Sequence, residues 1–335
     1  MDFAPECVLL GDVGATNARL ALLSNDTLGP VEWFTVAEFA QFIDAVDAFF
    51  VRHCGHASVR EALLAVAGPV AGDRCVLTNC GWTIDARELS AEFRFARVHI
   101  LNDFEAIALS LSHLTTADVY PLGGGAAVPG QPVAVLGPGT GLGVACLVPA
   151  SSNSVVIASE GGHATLAATS SRDDAIIGHL RREFGHVSAE RVISGPGLQH
   201  LYRAIVALDG VDAPPRNASE ITKAALAGVC PVAREALEQF CAMLGTVAGS
   251  AALMFGARGG IYIGGGIAPR ITDFLARSEF RARFESKGRF RAYLASIPTS
   301  VIVHPAATFL GLRSIAKRNL GCGIQDAFRS SDRPR

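Results

Sequence analysis

The chain has 335 residues, half of them hydrophobic and 18% charged, with 29 basic and 31 acidic side chains that leave a net charge of −2. At about 150 residues per domain this is length for two domains with sizeable cores, and so apolar a composition excludes a disordered chain. The even charge, with no basic arm or acidic tail, leaves no footprint for nucleic acid or another polyanion.

In chain order, the first hundred residues read as short strands and turns. Residues 8–13 form an apolar run ending at Gly14, 18–23 a second run, 25–30 a turn and 31–36 a third strand. From 37 to 52 the spacing turns helical, with Phe39, Phe42, Ile43, Val46, Phe49 and Phe50 on one face. A buried strand at 63–67, a helix at 86–93, a strand at 98–101 and a helix at 103–113 capped by Asn102 or Asp103 complete the order βββαβαβα. After a Gly/Pro-rich link at 121–132 the same order restarts, with strands at 133–136, 143–148 and 154–158. Helices at 173–184, 197–207, 220–227 and 231–254 follow, then strands at 261–263 and 301–303 and a helix at 306–317. A period of about 125 residues predicts two similar α/β lobes with a cleft between them, not a solenoid.

Two uncharged stretches, 119–159 and 240–257, are long enough to be tested as membrane spans, which need about 20 apolar residues. Five prolines break the first. The second is rich in Ala and Gly and reads as a helix buried on all sides of an α/β domain, so no membrane partner is expected. The opening residues MDFAPE carry no basic segment ahead of an apolar core, so no secretory signal and a cytoplasmic protein are expected. The eight cysteines, at 7, 54, 75, 80, 146, 230, 241 and 322, include no CxxC pair and read as reduced thiols.

Three glycine turns and three polar clusters carry the chemistry. Gly11-Asp12-Val13-Gly14-Ala15-Thr16-Asn17 turns between two strands. Its glycines let a phosphate approach the backbone, and Asp12 can hold hydrated Mg²⁺; an ordinary hairpin turn uses the same residue types. Gly137-Pro138-Gly139-Thr140-Gly141 is its counterpart in the second half. It is neither a dinucleotide fingerprint nor a P-loop, since no lysine precedes Lys223. Gly264-Gly265-Gly266 ends a strand and offers bare backbone to a base and ribose, or simply a helix entry. Asn102-Asp103 lies where a strand gives way to a helix, so Asp103 is either a helix cap or a general base. Glu160-Gly161-Gly162-His163 puts a carboxylate and an imidazole on one loop, suited to a polyol and too few for a metal site. Glu190 alone would pass for a surface charge.

In order, these segments resemble the bacterial ATP-dependent glucokinases of the actin-like ATPase superfamily. The resemblance rests on GDVGATNARLAL (11–22), LNDFEAIA (101–108), GPGTGLGVA (137–145), EGGH (160–163), SAERVISGPGLQHLYRAI (188–205) and GGIYIGGGIAPR (259–270), with KGRF (287–290) and IPTSVIVH (297–304) behind them. It implies an α/β, two-lobed actin-like ATPase (ribonuclease H-like) fold with a duplicated βββαβαβα core. The smaller domain is then 1–113 plus 304–335 and the larger 114–303. It implies the substrates D-glucose and ATP, with Mg²⁺ near Asp12 through water, and a homodimer at the level of the family. Gly11, Asp12, Val13, Gly14, Ala15 and Thr16 fall on the first phosphate loop, Gly137, Gly139, Thr140 and Gly141 on the second, and Gly264, Gly265 and Gly266 on the adenosine side. Asn102, Asp103, Glu160, His163 and Glu190 fall where the family holds glucose, and Asp103 on its catalytic base. Ala15 and Glu105 depart from the usual GGTN and NDFTA patterns. A kinase for another hexose, or a catalytically weak sugar sensor on the same scaffold, are the competing expectations.

Overall fold

The computed structural model describes residues 7–53, 59–77, 80–150 and 154–317. The MDFAPE start, Cys54, Cys322 and residues 318–335 lie outside them. The chain is mixed α/β and separates into two compact units, one of the residues up to His113 with those from Ala306 on, the other Leu114–Pro305.

In the first unit β1 (Cys7–Val13) pairs antiparallel with β2 (Asn17–Ser24), which carries the short strands β3 (Thr27–Leu28) and β4 (Glu32–Thr35). Asn25 and Asp26 make the β2–β3 turn at φ of 47° and 62°, the left-handed region their short polar side chains tolerate. Helix α1 (Phe42–Arg52) leads to β5 (Val59–Val66), parallel to β1. β5 is continuously apolar and buried from Ala62 to Val66, as befits a strand inside its sheet. A small antiparallel sheet of β6 (Val70–Ala71), β7 (Arg74–Val76) and β8 (Thr83–Asp85) precedes α2 (Ala86–Phe93). β9 (Arg97–Asn102) then runs parallel to β5 and feeds α3 (Asp103–Ser110), giving the order β3-β2-β1-β5-β9. Phe34, Phe42, Phe49, Phe50, Trp82, Phe93 and Phe95 fill the core on one side. A helix over 307–317 returns to this unit. At Gly311 a Cβ would stand 1.8 Å from the Ala106 carbonyl, so this helix meets α3 backbone to backbone.

The second unit contains β10 (Val119–Gly123), β11 (Val133–Pro138), β12 (Leu142–Val148) and β13 (Val155–Ser159). The helices α4 (Ser171–Phe184), α5 (Gly195–Asp209), α6 (Ala218–Leu226) and α7 (Pro231–Phe255) follow. β14 (Gly260–Ile263), short helices α8 (Thr272–Arg277), α9 (Phe280–Glu285) and α10 (Arg291–Ala295), and β15 (Thr299–Ile302) complete it. The order is β10-β15-β14-β11-β12-β13, with β11 antiparallel to β12 and parallel to β14, itself parallel to β15. α7 is long and apolar enough to cross a membrane, yet 67% of its apolar window is buried in this unit. Cys75, Cys80, Cys146, Cys230 and Cys241 are free thiols. Burial pushes Cys241, inside α7, up to about 12.

Three expectations need correction. The helix predicted over 37–52 is a 3₁₀ turn (Val36–Glu38) followed by α1, because a reciprocal Gln41–Asp44 capping box starts the helix at Phe42. The link predicted at 121–132 begins inside β10. Pro121 is tolerated there because β10 is an edge strand, where a missing N–H breaks no ladder. The stretch between β5 and α2, for which the sequence predicts no element, holds the three-stranded sheet, whose two- and three-residue strands show no periodicity.

Candidate active site

The register of the parallel strands decides where the polar residues emerge. Val13, Val66 and Asn102 are direct neighbours across β1, β5 and β9. The Gly14 turn and the Asn102-Asp103 junction therefore leave the sheet at one edge, about 10 Å apart at two strand spacings. This is the carboxyl edge, where open α/β sheets carry their ligands. In the second unit Leu136, Ile263 and Val301 align in the same way, so Gly137–Gly141 and Gly264–Gly266 share an edge too.

In the first unit, the Gly14 amide donates to the Asn17 carbonyl at 3.0 Å and closes the β1–β2 turn around Ala15 and Thr16. Asp12, at the end of β1, is ion-paired with Arg19, its direct partner on β2. Asn102 caps α3, its Oδ1 accepting from the Phe104 amide at 2.9 Å, while its Nδ2 donates to the Gly68 carbonyl at 3.3 Å. Asp103 follows on the first turn, where its Oδ1 also accepts from the Phe104 amide at 2.9 Å. Both residues are thereby held at the sheet edge. Glu105 is half-buried; burial pushes its carboxyl up, and His99 pulls it partly back.

In the second unit the β11–β12 turn is held from several sides. The Gly139 amide donates to the Gly141 carbonyl and the Gly195 amide to the Gly139 carbonyl, each at 2.8 Å. The Gly264 amide donates to the Leu136 carbonyl at 2.7 Å, docking the third glycine turn on the second. Gly265, at φ +77°, has no room for a Cβ, which would stand 2.5 Å from the Pro138 carbonyl oxygen. Glu190 is fixed to the same turn: its Oε2 accepts from the Leu142 amide at 2.9 Å. Its own amide donates to the Gly162 carbonyl at 2.8 Å, which ties it to the Glu160–His163 loop. His163 then lies with Nδ1 3.9 Å from Glu190 and Nε2 3.8 Å from Glu160. Glu160 and His163 are 76% and 62% exposed, so their polar atoms are open to a ligand.

The structure thus brings Glu160, His163 and Glu190 together beside Gly137–Gly141 and Gly264–Gly266. On the first unit it aligns Asp12, Gly14–Thr16, Asn102 and Asp103 on one edge. Sequence reasoning assigned no role to Arg19, Gly68 or the Ser194–Gly195 start of α5, which touch these groups. Only the Ser-Gly-Pro-Gly cap signal at 194–197 was there to find the last of them.

Known proteins resemble this chain over most of its length. A family model described as glucokinase covers residues 9–319. A glucokinase of Paramagnetospirillum magneticum is 45% identical over 92% of this chain and 97% of its own length. One of Aromatoleum aromaticum is 46% identical over 90% and 92%. Among solved structures, a glucokinase from an Antarctic psychrotroph is 37% identical and superposes with a TM-score of 0.81 over 92% of this chain and 97% of that one.

Proposed function

The chain belongs to the glucokinase family, and on that premise we propose that Asp103 is the general base of its reaction. The enzyme transfers the γ-phosphoryl group of ATP to the 6-hydroxyl of D-glucose, giving glucose 6-phosphate and ADP. Asp103 accepts the hydroxyl proton as the oxygen forms its bond to phosphorus and the bond from phosphorus to ADP breaks. The observation that carries this is the Asn102 cap, which fixes a carboxylate at the carboxyl edge in register with the Gly14 turn.

Asn102, Glu160, His163 and Glu190 bind the remaining sugar hydroxyls. A set of groups that pairs each hydroxyl rejects an epimer, because its own polar groups are then left bare. Gly11–Thr16 and Gly137–Gly141 hold the phosphates through backbone amides and the Thr16 and Thr140 hydroxyls. Gly264–Gly266 takes the adenosine side. Among the described residues no three His, Cys, Asp or Glu form a metal cage. The single Asp12 carboxylate does fit Mg²⁺, which takes most of its oxygens from phosphate and water. When bound, that ion offsets the charge of the triphosphate. The matching order of the two sheets supports a duplicated βββαβαβα core. Family membership supports a cytoplasmic homodimer.

The test is ADP release by purified protein with Mg-ATP and glucose, mannose, fructose, N-acetylglucosamine or no sugar, with Asp103→Ala alongside. Turnover should be highest on glucose, and the variant should lose about 10²–10⁴-fold. Sugar-independent ADP release, or a variant as active as the parent, would overturn the reading.

A further inference from the structure

Asp12, Arg19 and Trp33 are directly opposed across three neighbouring strands, Asp12 on β1 facing Arg19 on β2 and Arg19 facing Trp33 on β4. Arg19 is ion-paired with Asp12, and both side chains are largely shielded, 17% and 15% exposed. The guanidinium carbon lies 5.1 Å from the centre of the Trp33 ring and 5.5 Å from that of Phe309, on the 307–317 helix. A carboxylate and two aromatic faces therefore hold one cation at the end of the strand that leads into the Gly14 turn. Such a cage suits a flat, weakly hydrated guanidinium; an ammonium has neither the fork for the carboxylate nor the plane for the rings.

We propose that Arg19 is a positioning residue of the phosphoryl-transfer site, which acts by orienting and neutralising the Asp12 carboxylate. This deepens the functional reading above and rests on it. A carboxylate that shares its charge with a guanidinium attracts a divalent ion more weakly than a free one does. Mg²⁺ also gives up its water reluctantly. With Arg19 in place, the Asp12 carboxylate would hold the nucleotide's metal loosely. Without Arg19 it would hold the metal more tightly.

The test uses the full chain as Arg19→Gln, Arg19→Lys and Asp12→Asn, and Arg19→Gln combined with Asp12→Asn. Mn²⁺ binding to the protein–ADP complex, read from the electron paramagnetic resonance of free Mn²⁺, should tighten about three- to tenfold in Arg19→Gln. It should hardly move when the same change is made on Asp12→Asn. kcat should fall about 10- to 100-fold in Arg19→Gln with the glucose KM kept, and Arg19→Lys should recover part of it. Equal effects with and without the Asp12 carboxylate, or unchanged Mn²⁺ binding, would overturn the proposal. An unchanged rise in melting temperature with glucose verifies the fold. Should Arg19→Gln not fold, Trp33→Leu loosens the guanidinium with both charges kept and should shift Mn²⁺ binding less, in the same direction; no shift overturns the proposal. If the parent protein shows no glucose-dependent turnover, the functional reading fails, and the Mn²⁺ titration still decides the role of Arg19.

Discussion

Glu190 shows how a residue unremarkable in sequence gains meaning from its partners. Its Oε2 holds the Leu142 amide at 2.9 Å, and a methyl group on Gly141 would stand 2.5 Å from that oxygen. One carboxylate oxygen thus serves the glycine turn and leaves the other beside His163. Glu190→Gln keeps the shape but weakens the acceptor and turns half of it into a donor. Hydrogen bonds to charged groups contribute about 1.5–3 kcal/mol, so the glucose KM should rise roughly 10- to 100-fold with the ATP KM little changed, as steady-state kinetics would show. Glu105 is read by pH. Its folded carboxyl lies above the unfolded value, so its contribution is fully present below the unfolded value and is lost as pH rises through the folded one. Glu105→Gln should therefore melt higher than the parent by about 1–2 °C at pH 8, with the gap closing near pH 4. An equal gap at both pH values would remove burial of the charge as the cause. Asp103 and Glu160 are legible in the sequence as candidates because strand ends and glycine loops mark such positions. Arg19 is not, since a strand residue's cage depends on two chain segments far apart in sequence.

At the scale of elements, α7 shows what composition does and does not reveal. Its Ala and Gly content marks a helix buried all round, but not the neighbour that uses the small residues. Gly245 and Gly249, one helical turn apart, face α9. A Cβ on Gly245 would stand 2.1 Å from the Phe280 carbonyl oxygen, and one on Gly249 would stand 2.4 Å from that of Phe284. Backbone meets backbone there, and α9 is a six-residue helix that no periodicity could announce. Gly245→Ala gains helix propensity of about 1 kcal/mol and loses more through the forced separation, typically 1–3 kcal/mol or above. The expected result is a net loss of stability in urea, while Gly178→Ala, whose Cβ would meet nothing within 4 Å, should stabilise α4. The long strands and helices followed from apolar periodicity for the same reason that α8, α9 and α10 did not. Elements of five or six residues complete at most two turns of any pattern.

On the scale of the whole molecule, the chain visits the first unit twice, leaving after His113 and returning from Ala306. Each unit has a core of its own, one running from Leu9 to Ile100 and one from Leu122 to Val301. The β1–β2 and β11–β12 pairs were legible because two apolar runs flank a glycine turn in each half. The return of the last helix was legible only through the family resemblance, since nothing in its own residues names the sheet it joins. Its contribution can be measured by ending the chain after Pro305. That removes Phe309, Leu312 and Ala316, all fully buried, and uncovers the Gly311 contact with α3 beneath Asp103. Burying one Phe and one Leu contributes about 1.5–3 kcal/mol each, against about 5–15 kcal/mol for an average domain. The loss therefore falls on the first unit and spares the second, whose core includes no residue after Val301. The shortened protein should lose glucose phosphorylation while limited proteolysis still yields a resistant fragment close to 114–305. Retained activity would show that the helix is dispensable to the residues that carry Asp103. Loss of the resistant fragment would show that the second unit depends on the first for its stability.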